Sequence, residues 1–136
     1  MRYIVDWILR IAIALILFQT LFFKFLGAEE SIYIFSTLGV EPWGRYLTGF
    51  AELISVILLL ISQTTICGAL LSMSVIAGAI VAHLTKLGIA VQGDGGLLFG
   101  LAVAVFIGSG ILLLLRKEEI VTWWRSCCIK WKSGSE

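Results

Sequence analysis

The stretch ILLLISQTTICGALLSMSVIAGAIVAHL, residues 57–84, decides the fold class. Apolar residues occupy every direction along it, so it carries neither the period of two of a half-buried strand nor the single stripe of a water-soluble amphipathic helix. Its one polar cluster is Ser62, Gln63, Thr64 and Thr65. Helices satisfy their own N–H and C=O groups in hydrocarbon, whereas open strands do not. A break this short also makes the helices on either side antiparallel neighbours.

The rest of the chain shares this character. Of its 136 residues, 60% are hydrophobic and 14% charged, where a soluble domain carries about 45–50% and about 25%. Apolar runs fall at about 4–26, 43–62, 64–87 and 96–115, each close to the ~20 residues with which a helix crosses ~30 Å of hydrocarbon. The ~10-residue alternating segments of a membrane β-barrel have no counterpart. The expected fold is an all-α membrane protein, a four-transmembrane-helix bundle forming one domain at 1–116. A tail at 117–136 follows, and no room is left for a soluble catalytic domain.

Arg2 and Arg10 introduce the first run as they would a secretory signal, but KFLGAEES after it offers no A-x-A-like cleavage site, so a retained helix is expected. Four spans return both termini to one side. That side carries Arg2, Arg10, Arg116, Lys117, Arg125, Lys130 and Lys132; the other carries Lys24, Arg45 and Lys86 among Glu29, Glu30, Glu41 and Asp94. Positive residues favour the cytoplasm, which places both termini there. The net charge of +1 averages over two aqueous faces, and no nucleic-acid partner is expected.

Residues 27–42, GAEESIYIFSTLGVEP, are long for a turn and rich in apolar side chains, which suits an interfacial helix or a cap dipping onto the bundle mouth. Pro42 fits the first turn of the next helix, where a missing N–H costs nothing. Gly96, Gly100, Ala104 and Gly108 recur at every fourth position, a small-residue face on which another helix packs closely, within the bundle or across a homo-oligomer seam. In the tail, Trp123, Trp124 and Trp131 interleave with Arg125, Lys130 and Lys132. This is the composition of an amphipathic anchor on an anionic leaflet, or of a docking strip for a cytoplasmic partner.

Polar residues inside the spans carry what chemistry there is. Arg45, Thr48, Gly49, Glu52 and Ser55 share one side of the second long helix. A charge at mid-membrane costs about 2.5–3.5 kcal/mol even on the insertion scale, so this stripe should face inward. Gln19 and His83 come out at depths comparable to Glu52 or nearer the rim, and Lys24 and Lys86 lie near the rim. Arg10 lies ~21 Å from Lys24 along its helix. Glu52 and His83 are the candidate proton-handling pair, with Arg10, Gln19, Lys24, Arg45, Thr48 and Ser55 as candidate ligand contacts. Each also has a plainer reading. Basic residues near span ends snorkel to headgroups, His83 serves as an interfacial hydrogen-bonding group, and Glu52 ties helices together through Arg10, Lys24 or His83.

Several chemistries are disfavoured. Haem between two histidines needs a second one, and His83 stands alone. Cys67 is isolated, and Cys127 and Cys128 are adjacent on the cytoplasmic tail, where free thiols are the common state; neither arrangement is a C-x-x-C redox pair. No metal-ligand cluster, catalytic triad or phosphate-binding glycine loop is present, so the chain does not read as a self-sufficient enzyme.

These elements together resemble a known pattern. LRIAIALILFQTLFFKFLG, FSTLGVEP, GFAELISVILLL and AGAIVAHLTKLG, in this order across residues 8–115, are similar to the motifs of the DoxX family of small four-helix membrane proteins. Arg10, Lys24, Phe35, Gly39, Pro42, Gly49, Glu52 and His83 match positions of that pattern. Two departures are Thr20 and Leu21, where a small residue is often found, and Val40–Glu41, which lengthens the approach to the proline. The resemblance implies a bacterial inner-membrane protein linked to quinone-dependent sulfur oxidation or to oxidant-stress complexes. Its expected cofactor is a quinone, and its expected partners are soluble or membrane redox proteins. A non-catalytic assembly module is the competing expectation.

Overall fold

The structure, a computed structural model, describes residues 1–122. No strand occurs among the described residues, which form α1 (Arg2–Leu26), α2 (Glu29–Leu38), α3 (Trp43–Leu60), α4 (Thr65–Ala82) and α5 (Leu97–Leu115). A π-helical turn, His83–Leu87, prolongs α4. Counted with that turn, α1, α3, α4 and α5 are long and apolar enough to cross a membrane.

The helix ends follow from local chemistry. No glycine or proline interrupts α1 before Gly27, whose φ of 68° is left-handed backbone that a side chain resists. Gly39 closes α2 in the same way at φ 77°. The turn after α3 uses hydroxyls, with Thr64 Oγ1 donating to the Leu58 carbonyl (3.0 Å) and Thr65 Oγ1 to that of Ile61 (3.0 Å). This serves carbonyls that a helix end leaves without partners, and α3 accordingly stops at Leu60, two residues before the end of the apolar run.

Each long helix has two neighbours, in the cyclic order α1, α3, α4, α5. Cross-contacts fix the register and show the neighbours antiparallel. Ile13 of α1 meets Gly108 of α5, Gly68 of α4 meets the Leu58–Leu59 backbone of α3, and the hydroxyls of Ser72 and Ser109 pair at 2.9 Å between α4 and α5. The core holds Ile13, Leu17, Leu59, Ala69, Ile76, Val105 and Leu112. The outer surface displays Ile8, Leu15, Phe22, Leu47, Ile54, Leu70, Ile107 and Leu114, as expected of helices solvated by lipid.

The two ends of this ring differ. At the end where α1 begins and α5 ends, the terminus end, Arg10 is fully buried and lies across the end of α3, with Nε 2.5 Å from the Leu59 carbonyl and Nη2 2.8 Å from that of Leu60. Asp6 accepts a forked pair from Arg116, at 2.7 and 2.8 Å, and Arg116 also reaches the Ser62 carbonyl at 3.1 Å. Asp6 holds the Arg116 guanidinium above its ordinary pKa through these hydrogen bonds. At the opposite, loop-side end, α2 packs on α1, α3 and the π-turn.

One expectation changes. Within this one chain Gly96, Gly100, Ala104 and Gly108 do not share a packed face, because a four-residue step overshoots a helical turn by about 40° and three steps drift by about 120°. Gly108 packs on Ile13, but nothing lies within 4 Å of a Cβ built at Gly100, and Ala104 is exposed. The inward face of α5 is Ala102, Val105, Gly108, Ser109 and Leu112. In the tail, residues 117–122 continue as helix, while Trp123, Trp124, Arg125, Cys127, Cys128, Lys130, Trp131 and Lys132 lie outside the described residues.

Candidate functional site

The inward face of α3 carries Gly44, Arg45, Gly49, Glu52, Ser55, Val56 and Leu59. Glu52, 1% exposed, forms an ion pair with Lys24 through Oε1, and its Oε2 lies 3.2 Å from Thr20 Oγ1. Thr20 and Lys24 are four residues apart and so lie on one face of α1, which turns both toward the carboxylate. The Thr20 hydroxyl also lies 2.9 Å from the Leu17 carbonyl. One hydroxyl proton serves one of these acceptors at a time. Lys24 has three N–H donors, and among the described residues Glu52 is the only side chain that accepts from them.

This pair stands in the wall of a cavity of about 520 Å³, within the range of ordinary small-molecule sites. Ile16 and Leu17 of α1, Ile76 of α4, and Leu98, Leu101 and Val105 of α5 supply apolar wall, and Ile34, Phe35 and Leu38 of α2 cover it. The α1–α3 edge is pinned by Arg45, whose Nη1 donates to the Lys24 carbonyl while Nε binds the Glu41 carboxylate at 2.8 and 3.1 Å. The Phe25 ring fills the notch over Gly49, 3.2 Å from where a Cβ would stand.

His83 occupies the far wall at the start of the π-turn, with its ring edge-on to Phe99 at 5.7 Å. Its Nδ1 lies 2.9 Å from the Gly88 carbonyl. A carbonyl only accepts, so Nδ1 carries the proton and the lone pair of the neutral ring sits on Nε2. Asp94, also in the wall, gathers the N–H groups of Val91, Gly96 and Leu98 at 2.8, 2.9 and 3.0 Å. The hydrogen bonds from Leu98, Gly96 and Val91 hold its carboxyl below the usual carboxylate range.

Of the residues singled out from the sequence, Gln19, Lys24, Thr48, Glu52 and His83 line the cavity. Thr48 is occupied with its own helix, its hydroxyl 2.9 Å from the Gly44 carbonyl. Ser55 is buried and donates to the Ala51 carbonyl at 2.8 Å, away from the cavity wall. Arg45 borders the site without lining it, and Arg10 is at the opposite end of the ring. Lys86 is exposed.

Four polar wall residues escaped sequence reasoning: Thr20, Glu30, Ser31 and Asp94. The i, i+4 spacing of Thr20 to Lys24 was an available signal, and so was the Asp-Gly-Gly run before α5, which suits an aspartate cap. Ser31 sits in a segment whose side of contact no periodicity reveals.

The arrangement offers hydrogen-bond donors at Lys24, an acceptor at His83 and an ion pair between an ammonium and a carboxylate, all against hydrocarbon. Among the described residues no group of three His, Cys, Asp or Glu side chains is placed to hold a metal ion. No protein-family model, curated protein or solved structure matches this chain.

Proposed function

We propose that this chain is a DoxX-like integral membrane protein of the bacterial inner membrane, a four-helix bundle with α2 at the interface and both termini in the cytoplasm. In this reading the cavity receives a quinone-like ring on behalf of a membrane redox complex. The observation that carries it is the Lys24–Glu52 pair in the wall of a largely apolar cavity of about 520 Å³. An ionised pair in such a wall is costly to keep out of water, and it gains a purpose where a ligand oxygen takes up the spare ammonium donors.

The roles follow from position. Lys24 polarises a ring carbonyl oxygen, and Glu52 and His83 pass protons as the ring takes up two electrons and two protons to become the quinol. In this reading the electrons come from a partner redox protein. Arg10, held by the α3 carbonyls, keeps the opposite end closed.

The test is quinone retention by purified protein, read by lipid extraction and mass spectrometry. Wild type should retain membrane quinone, and Glu52→Gln should lose most of it while remaining folded. Equal retention by wild type and variant, or none by either, counts against the reading.

A second reading has one specific observation in its favour: Arg10, Arg45, Lys24 and Glu52 all have partners within the chain. In that case the chain is a non-catalytic assembly module whose polar interior is structural. Glu52→Gln would then lower the melting temperature with no ligand to lose, and removing residues 117–136 would abolish partner pull-down.

A further inference from the structure

The lid helix α2 brings to the cavity a polar group that nothing in the chain satisfies. Ser31 is 7% exposed and lines the cavity, and its Oγ is the only buried side-chain nitrogen or oxygen among the described residues without a hydrogen-bond partner. Such an orphan is uncommon, because leaving a buried hydroxyl unpaired costs about 1–3 kcal/mol. Ser31 also stands in the first turn of α2, where no side chain caps the free N–H groups. Ala28 and Glu30 flank it in the same stretch of wall. The start of α2 is therefore a group of hydrogen-bond donors at the cavity with no acceptor of its own.

The charges there decide what kind of acceptor fits. A helix N-terminus ordinarily draws an anion, but the first turn of α2 already contains Glu29 and Glu30, and the wall adds Asp94. Lys24 is matched by Glu52. A carboxylate or phosphate entering here would meet acids of its own sign that no cation neutralises among the described residues, whereas an uncharged carbonyl, ether or hydroxyl oxygen would meet donors without that repulsion.

The geometry points to Ser31 as the residue that binds the ligand's outer oxygen, and to a ligand class of uncharged amphiphiles with at least one accepting oxygen, anionic amphiphiles being rejected. This rests on the proposal that the cavity holds a ligand, and it adds to that reading the ligand's charge and the residue that meets its outer oxygen.

The test uses the full chain in neutral detergent and a decyl-substituted benzoquinone as probe. Binding is read by quenching of Trp43, which lines the cavity, as the difference between wild type and Trp43→Phe. Decanol and decanoate at pH 8 serve as competitors. Ser31→Ala should weaken quinone binding about fivefold, as expected for loss of one neutral hydrogen bond, and Ser31→Thr, which keeps the hydroxyl, should bind like wild type. Decanol should compete, and decanoate should need about tenfold more, a gap that narrows in Glu29→Gln/Glu30→Gln. If Ser31→Ala binds like wild type while Glu52→Gln binds weakly, the cavity is a site and the inference about Ser31 is wrong. Decanoate competing as well as decanol overturns the charge selectivity. Absence of saturable quenching in wild type overturns both the inference and the proposal beneath it.

Discussion

The two ends of the helix ring use the same device to different effect. At the terminus end Arg10 reaches from α1 to the last carbonyls of α3, and at the loop end Arg45 reaches from α3 to the Lys24 carbonyl of α1. Each guanidinium staples one antiparallel helix to the end of its neighbour. At the terminus end a second arginine, Arg116, joins through Asp6, and α3 and α4 approach until their backbones touch at Gly68. At the loop end a ten-residue helix, α2, covers the opening instead, and a cavity of about 520 Å³ stays between the walls. A buried charge such as Arg10, whose donors are taken up by carbonyls, a hydroxyl and a carboxylate, is structural. One with donors to spare beside a cavity is a candidate site.

The sharpest way to break this contrast is to remove the terminus-end staple. Arg10→Ala leaves the Leu59 and Leu60 carbonyls unpaired and should cost about 3–5 kcal/mol, as for other broken buried ion networks. The readout is a large fall in melting temperature in detergent. Arg10→Lys should not restore it, because one ammonium cannot match the forked geometry.

Two glycines on α4 compare the ends directly. At Gly68 a Cβ would stand 2.7 Å from the Leu59 nitrogen and 2.9 Å from the Leu58 carbonyl carbon, so Gly68→Ala must push α3 and α4 apart. A loss of about 1–3 kcal/mol is expected in the same melts. At Gly78, in the cavity wall, a Cβ meets nothing within 4 Å. Gly78→Ala should therefore change stability by no more than about 0.5 kcal/mol, the smallest of these effects.

Between these lies the loop end's own anchor. Asp94→Ala should cost about 1 kcal/mol, the usual worth of a helix-start cap. Because the carboxyl is held below its ordinary value in the folded protein, its contribution is complete above the unfolded value of ~3.9 and disappears as pH falls through the lower folded value. The gap in melting temperature between wild type and Asp94→Ala should be flat from about pH 8 to 5 and close below about pH 4. A gap that widens on acidification would show that Asp94 is not held as a carboxylate.

Much of this was legible in advance, residue by residue. Glu52 reads as inward-facing because hydrocarbon penalises a charge on the outer face, whatever the neighbours are. Lys24 and Arg10 could not be told apart as partners for it. They lie on roughly one face of α1, ~21 Å apart, and the choice depends on how far α1 and α3 slide along each other. The structure brings Lys24 level with Glu52 and Arg10 level with the end of α3. The glycine stripe misled for a related reason, since a four-residue repeat drifts around a straight helix and only contact with α1 shows which of its members packs.

The amino-acid sequence by itself determined the four apolar helices, their breaks and the inward polar face of α3, because each depends on hydropathy and backbone chemistry within one segment. Tertiary structure alone decided that Thr20 and Lys24 would hold Glu52, that Ser31 would be left unpaired under α2, and that the loop end would keep a cavity. Those outcomes depend on register and on the space between helices, which no single segment encodes.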